Sequence, residues 1–192
     1  GLVDSPFQVT GHVVVSSGVT LTIEPGVTVK FDSGKVMEVE GTLVAQGTSS
    51  NKITFTSSAA SPEAGDWGYI EFKEGSSGTT YDGSGNYVSG SIFEHCRVEY
   101  GGSYSDSVVK HAPYINSCTF TNNGGSVRAY RWTESKWHNS EPVKITNSTF
   151  TQNDAVAIYS AVDATVTGNT VTYNKLGIQV GGGATTITDN VI

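Results

Sequence analysis

The carboxy-terminal half of the chain repeats a six-residue pattern of apolar and polar positions. Residues 145–150, 166–171 and 187–192 read Ile-Thr-Asn-Ser-Thr-Phe, Val-Thr-Gly-Asn-Thr-Val and Ile-Thr-Asp-Asn-Val-Ile, and their first residues are 21 apart. Residues 115–120 and 93–98 fit the same pattern, at intervals of 30 and 22 residues. A repeat of roughly 20 to 50 residues is typical of solenoid proteins. The pattern therefore predicts stacked structural repeats.

Each repeat unit reads apolar, polar, turn, small or amide, polar, apolar. Two short strands that meet at a tight corner produce this order of residues. Asn or Gly at the third position tolerates a left-handed backbone, and a small or amide side chain at the fourth position can turn inward and hydrogen-bond the corner.

The first third of the chain alternates apolar and polar residues with a period of two on both sides of Pro25-Gly26. The intervals are 16 residues from Ile23 to Val39 and 17 residues from Ile53 to Ile70, so we expect shorter coils over about 9–73 and longer coils over about 91–192. Short alternating runs without a helical period exclude folds that alternate strands and helices.

These patterns predict an all-β fold, a right-handed parallel β-helix that forms a single domain over residues 1–192. Successive rungs of such a solenoid lie about 4.8 Å apart. We expect one interior row, formed by Ile23, Val39, Ile70, Phe93, Ile115, Ile145, Val166 and Ile187. An immunoglobulin-like sandwich is the competing architecture, although it predicts no fixed interval of 21 residues.

Composition narrows the classes of partner. The net charge of −7 disfavours nucleic acid, because phosphate binding needs a basic surface. The sequence has no run of about twenty apolar residues, so we predict no membrane span. It begins at Gly1 without a signal peptide, and its last repeat stops without a capping segment. We therefore expect a fragment of a longer solenoid, with further β-helix rungs or neighbouring domains as partners.

Three segments resemble known β-helix proteins. Residues 18–31, Gly-Val-Thr-Leu-Thr-Ile-Glu-Pro-Gly-Val-Thr-Val-Lys-Phe, and residues 65–72, Gly-Asp-Trp-Gly-Tyr-Ile-Glu-Phe, resemble rungs of β-helix modules in large bacterial and archaeal surface proteins. The Ile-x-Asn-x-x-Phe units resemble repeats of the pectate-lyase-like superfamily. The resemblance covers most of the chain and implies an extracellular or cell-surface location. It does not imply one activity, because the superfamily includes lyases, hydrolases, adhesins and structural stalks.

Glycoside hydrolases of this superfamily carry Asn-Thr-Asp, Asp-Asp, Gly-His-Gly and Arg-x-Lys motifs, which are absent from this sequence. The pair Asn169-Thr170 is followed by Val171, where those enzymes have the carboxylate. The sequence therefore assigns no catalytic residue. It favours a non-catalytic module but leaves a polysaccharide lyase or glycoside hydrolase as the alternative.

Lyases of the superfamily use clustered acids to hold Ca²⁺ and a nearby Arg or Lys as base. The nearest match is the rung over residues 94–100, where alternation points Glu94, Arg97 and Glu99 outward. Exposed charges on a strand are common, and Arg97 can pair with a neighbouring Glu. Lys110, His111, Arg128 and Arg131 follow on later rungs and could share a face with Arg97 that holds an anionic sugar, although scattered surface charge is the favoured interpretation.

The longest insertion, residues 130–141, contains two of the three tryptophans of the chain. Aromatic side chains beside hydrogen-bonding groups suit stacking on sugar rings, and long loops often carry function. The alternative is that the tryptophans pack on the coil as a lid. The candidate ligand-binding residues, for a polysaccharide or a cell-surface glycan, are Trp132, Trp137, Tyr130, Arg131, His138 and Arg97.

Two further features leave alternatives open. Asp82, Ser84 and Asn86 alternate with glycine in a loop that offers oxygen ligands for Ca²⁺, but the bidentate acid of an EF-hand is missing and a plain turn is favoured. We therefore assign no metal and no cofactor. Cys96 and Cys118 occupy the same place in adjacent rungs, so they are either buried free thiols or a disulfide.

Thr-x-Thr recurs along the chain, and in the repeat frame Thr119, Thr149 and Thr170 stack. Such ladders resemble the ice-binding face of some antifreeze proteins, although threonine is also favoured at outward strand positions generally. The sequence thus predicts first an extracellular β-helix module for surface adhesion, stalk formation or carbohydrate binding. A polysaccharide-degrading enzyme is the second hypothesis, and an ice-binding protein is the third.

Overall fold

The computed structural model describes residues 5–103, 107–130 and 142–192. Within these ranges the chain forms short strands that span two to five residues each. They are β1 (Phe7–Val9), β2 (Val13–Val15), β3 (Thr20–Ile23), β4 (Thr28–Phe31), β5 (Met37–Val39), β6 (Thr42–Gln46), β7 (Ile53–Ser57), β8 (Ile70–Phe72), β9 (Thr80–Tyr81), β10 (Tyr87–Ser89), β11 (Ile92–Glu94), β12 (Cys96–Glu99), β13 (Ser107–Lys110), β14 (Tyr114–Asn116), β15 (Thr119–Thr121), β16 (Ser126–Ala129), β17 (Val143–Thr146), β18 (Thr149–Thr151), β19 (Val156–Ser160), β20 (Ala164–Thr167), β21 (Thr170–Thr172), β22 (Leu176–Val180) and β23 (Thr185–Thr188).

Three seven-stranded parallel sheets run along the molecule. Sheet one has the order β1-β4-β7-β12-β15-β18-β21, sheet two β2-β5-β8-β13-β16-β19-β22, and sheet three β3-β6-β11-β14-β17-β20-β23. The chain passes from sheet one to sheet two to sheet three and then returns to sheet one, so each circuit forms one rung. This arrangement confirms the right-handed parallel β-helix. The immunoglobulin-like sandwich is wrong, because these strands pair in parallel with the strands one circuit away.

The predicted interior row needs correction at two positions. Ile23 pairs with Ala45 of β6, which lies 22 residues further on, whereas Val39 and Ile70 belong to sheet two. The intervals of 16 and 17 residues therefore join different sheets, and they do not indicate shorter coils. The observed row on sheet three is Ile23, Ala45, Phe93, Ile115, Ile145, Val166 and Ile187.

The interior of the coil is filled by stacked apolar side chains from all three sheets. Phe31 stacks on Trp67 with ring centroids 4.4 Å apart, and Phe120 stacks on Phe150 at 5.0 Å. All four residues are at most 1% exposed. Ile187 differs from the other members of its row, because it is 41% exposed on the last rung.

The corner from sheet three to sheet one has the predicted conformation. The third residue of each repeat unit has a positive φ, and Asn147 and Gly168 show this at 52° and 67°. The fourth residue turns inward: the side chain of Asn169 donates to the carbonyl of Ile145 and accepts from the amide of Ser148, both at 2.9 Å. The corner thus satisfies its own backbone polar groups inside the coil.

A second ladder of this kind follows sheet one, and the sequence analysis did not predict it. The amide of Asn123 donates to the side-chain oxygen of Asn153 at 3.0 Å, and the amide of Asn153 donates to that of Asn174 at 3.1 Å. The preceding residues Asn122 and Gln152 have φ values of 53° and 57°. Inward amides therefore support two of the three corners.

The third corner, from sheet two to sheet three, carries the long insertions. The hairpin β9–β10 lies between β8 and β11, and residues 131–141 connect β16 to β17. The hairpin packs on the outer face of sheet three through Tyr81 and Tyr87, whose rings lie 5.5 Å and 6.5 Å from that of Tyr114. Across the described ranges, we find no helix with the length and apolarity needed to cross a bilayer.

Candidate functional site

The outward positions of sheet two form a continuous row whose five central members are charged or aromatic. Strand register places one residue of this row on each rung. We call it the sheet-two row, and it consists of Val14, Glu38, Glu71, Lys110, Arg128, Tyr159 and Gln179. Its members are about 4.8 Å apart along the axis, which is the spacing of neighbouring strands.

Glu71 is the most buried charged residue of the sheet-two row. It is only 3% exposed, and Lys73 contacts it at 3.4 Å and contacts Glu38 at 3.3 Å. A buried carboxylate needs such a partner, because its charge is poorly solvated. Burial opposes protonation of Lys73, but attraction from both glutamates outweighs burial and raises the pKa of Lys73.

The next two rungs present cations beside tyrosine rings. The Lys110 ammonium lies 3.3 Å from the centroid of the Tyr69 ring, and the Arg128 guanidinium lies 5.4 Å from that of Tyr159. Partial burial lowers the pKa of Lys110. Burial, followed by repulsion from Glu71 and Glu38, raises the pKa of Tyr69. An aromatic ring thus lies beside each of the two cations.

His111 and Tyr130 lie at the edge of the sheet-two row. His111 is 1% exposed, and its Nδ1 donates to the carbonyl of Tyr130 at 2.7 Å. The two rings are 4.1 Å apart. Burial lowers the pKa of His111 from 6.5 to about 4, so its ring is neutral at neutral pH.

A shallow depression of about 350 Å³ adjoins the acidic end of the sheet-two row. Lys73 belongs to both features, because it contacts Glu38 and Glu71 and also lines the depression. The other lining residues are Ser17, Glu40, Glu74 and Gly75.

The structure separates residues that the sequence analysis had grouped. Arg97 lies on β12 of sheet one, where it pairs with Glu99, while Lys110 and Arg128 lie on sheet two. A face shared with Arg97 is therefore wrong, because the corner after β12 turns the chain onto the next sheet. The predicted outward positions of Glu94, Arg97 and Glu99 are confirmed, since the alternate residues Cys96 and Val98 are fully buried.

The predicted ligand-binding residues are only partly within the described ranges. Tyr130 is half-buried at the end of β16, next to the sheet-two row, and Arg97 is on another sheet. Arg131, Trp132, Trp137 and His138 lie outside the described residues, so their role in ligand binding stays a prediction.

Sequence reasoning missed the acidic half of the sheet-two row. Glu38 and Glu71 are flanked by buried apolar neighbours in the strands Met-Glu-Val and Ile-Glu-Phe. A single charge between two inward residues is the signal for an outward position on a strand. That signal was present, but the sheet to which each strand belongs was not evident from the intervals.

The remaining candidate features have ordinary structural roles. Cys96 and Cys118 are free and buried, and the amide of Cys96 donates to the Cys118 sulfur at 3.3 Å. Asp82 lies in the turn between β9 and β10, where its oxygens accept bonds from Ser84 and Asn86 of the same turn. In the part of the chain that the structure describes, no group of three or more His, Cys, Asp or Glu side chains is arranged to hold a metal ion.

The threonine ladders of sheet one have the expected register. Thr119, Thr149 and Thr170 are paired on successive rungs, and each begins a Thr-x-Thr strand. Thr121, however, is only 3% exposed, and Arg97 occupies the preceding position of the ladder. The outward hydroxyl surface is therefore confined to a few rungs.

Comparison with known proteins identifies one relationship. The family model described as a pectate-lyase like beta helix domain matches residues 3–113, which is more than half of the chain. The matched segment includes Glu38, Glu71, Lys73 and Lys110. No curated protein and no solved structure matches the chain.

Proposed function

This chain belongs to the family of pectate-lyase-like β-helix domains, and we propose that it is a non-catalytic extracellular module that binds an acidic glycan along the sheet-two row. The observation that supports this proposal is the register of Lys110 with Arg128, which places two cations on neighbouring rungs of one face.

The chemistry of these rungs suits an anionic sugar. Carboxylate and sulfate groups form charge-assisted hydrogen bonds with lysine and arginine. The half-buried Tyr69 and Tyr159 rings lie beside the two cations and hold them at this face of the coil. A polysaccharide that runs along the solenoid axis would meet these groups in succession, because one rung advances about 4.8 Å.

The chain as a whole is acidic, with a net charge of −7. An anionic ligand therefore gains little from the overall field of the protein and depends on local cations. Lys110 and Arg128 are such cations, and their position on a rigid sheet holds them at a fixed spacing. We infer that binding is specific to this face.

The proposal is tested by affinity electrophoresis and calorimetry with pectin, alginate and other acidic polysaccharides. We expect Lys110→Gln/Arg128→Gln to bind at least about tenfold more weakly than the wild type, because each lost charged hydrogen bond contributes about 1.5–3 kcal/mol. The control Lys30→Gln/Lys52→Gln makes the same change in net charge away from sheet two. Equal binding by the wild type and the sheet-two variant would refute the proposal, and no binding at all would favour a structural stalk.

A polysaccharide lyase is the second candidate, and one observation favours it. Burial lowers the pKa of Lys110, although Glu71 on the neighbouring rung opposes this lowering, so Lys110 has the character of a general base. Incubation with acidic polysaccharides would then release unsaturated products with time, and Lys110→Gln would abolish their release. Binding without any product supports the non-catalytic module.

A further inference from the structure

The charge of the sheet-two row changes sign halfway along the solenoid. Glu38 and Glu71 are register partners on adjacent rungs, and Lys110 and Arg128 occupy the next two rungs. The order along the axis is therefore two carboxylates followed by two cations. A ligand that lies on this row meets opposite charges at its two ends.

The first half of the row stays acidic despite Lys73. Lys73 contacts both Glu38 and Glu71, and it also lines the depression that contains Glu40 and Glu74. Two carboxylates thus contact one ammonium group, and two more glutamates line the adjoining depression. Glu71 is 3% exposed, so solvent screens its charge less than it would screen an exposed charge.

Successive rungs are about 4.8 Å apart, and we infer that an extended glycan on the row places one sugar over each rung. A homopolymer of uronic acid would place carboxylates over all four rungs. Those above Lys110 and Arg128 are attracted, whereas those above Glu38 and Glu71 are repelled. Neutral sugars avoid this repulsion, and their hydroxyl groups can donate hydrogen bonds to the partly exposed Glu38.

From this arrangement we propose that the ligand is a glycan of mixed composition, in which a short acidic stretch adjoins neutral sugars. The acidic stretch lies over Lys110 and Arg128, and the neutral sugars lie over Glu38 and Glu71. This inference rests on the proposed function, because it specifies the ligand of the same surface. Glu38 is then a specificity-determining residue.

Calorimetry with four tetrasaccharides tests the inference. Two of the probes are tetragalacturonate and its fully carboxyl-reduced form. The other two are half-acidic forms, in which the carboxyl groups are reduced on the two sugars at one end or on the two sugars at the other end. We expect one of the two half-acidic forms to bind about fivefold more tightly than tetragalacturonate. This is the effect of removing one repulsive contact between a ligand carboxylate and a partly exposed glutamate. Glu38→Gln should narrow this difference by raising the affinity for tetragalacturonate.

The control Glu24→Gln makes the same change in net charge at an exposed position on another part of the coil. Glu40→Gln provides a second test should Glu38→Gln fail to fold. If tetragalacturonate binds as tightly as both half-acidic forms, or if neither glutamate variant changes the preference, the mixed composition is overturned while acidic-glycan binding stands. If Lys110→Gln/Arg128→Gln binds every acidic probe as tightly as the wild type does, or if no acidic probe binds at all, the proposed function fails. This inference then fails with it.

Discussion

His111 is a buried imidazole that the surrounding protein keeps neutral. It follows β13, its Nδ1 donates to the carbonyl of Tyr130, and only 1% of the residue is exposed. Burial lowers its pKa from 6.5 to about 4. Its φ of 55° also places it in the left-handed region, so the position needs a residue that tolerates this backbone.

This lowered pKa predicts that stability depends on pH. The unfolded chain takes up a proton at His111 near pH 6.5, whereas the folded chain does so near pH 4, so stability falls as the pH is lowered through this range. Allowing for partial screening by solvent, we expect a loss of about 2 kcal/mol in the free energy of unfolding. Urea denaturation at pH 7, 5 and 4 measures this loss.

Two variants separate the contribution of His111 to the pH dependence of stability from the contribution of the carboxylates of the chain. His111→Asn removes the titrating group and keeps a residue that tolerates positive φ, so its stability should fall less over this range than that of the wild type. His12→Asn changes an exposed histidine and should behave as the wild type does. If the free energy of unfolding falls with pH by the same amount in the wild type and in His111→Asn, the pH dependence is not caused by His111.

At the scale of elements, inward side chains at the corners connect neighbouring rungs in addition to the pairing of the strands. The strands are short, but from the corner between β11 and β12 onward each corner from sheet three to sheet one connects to the next through a side chain. The amide of Ser148 donates to the Asn169 side chain, and the amide of Asn169 donates to that of Asn190, both at 2.9 Å. These bonds satisfy backbone groups that water cannot reach.

Asn169→Ala should therefore be strongly destabilising. Without the amide side chain, the Ser148 amide and the Ile145 carbonyl lose a buried partner, and we expect a cost of about 3 kcal/mol in the free energy of unfolding. Guanidinium denaturation measures it, with Asn51→Ala at an exposed turn as the control. A cost as small as that of the control would show that the ladder is not needed for stability.

The first corner could be predicted from the sequence, because its turn and amide positions recur in each unit. The second ladder was missed, since the residue before each inward Asn varies between Asn122, Gln152 and Tyr173. Alternation shows which side chains point inward but does not identify the sheet, so Val39 and Ile70 were assigned to the wrong row. For the same reason the partners Glu71 and Lys110 were not recognised as neighbours.

At the scale of the whole molecule, each strand of the three parallel sheets pairs only with the strands one rung before and one rung after it. The inward residues of the middle rungs are covered on both sides: Phe55 and Val98 are fully buried. On the last rungs, Val180 and Ile187 are 45% and 41% exposed. Stability in such a solenoid is the sum of the contributions of individual rungs and of the contacts between neighbours.

This difference in burial predicts a gradient of local stability along the axis. Amide hydrogens of β7, β12 and β15 should exchange most slowly, because exposing them requires the central rungs to open. In a chain that consists of residues 1–192, those of β22 and β23 should exchange faster by at least about tenfold, since opening their rung exposes little additional apolar surface. Native-state hydrogen exchange read by mass spectrometry resolves these strands. Equal protection from β7 to β23 would instead mean that all rungs open in one cooperative step. Stability would then not be a sum of the contributions of individual rungs in this chain.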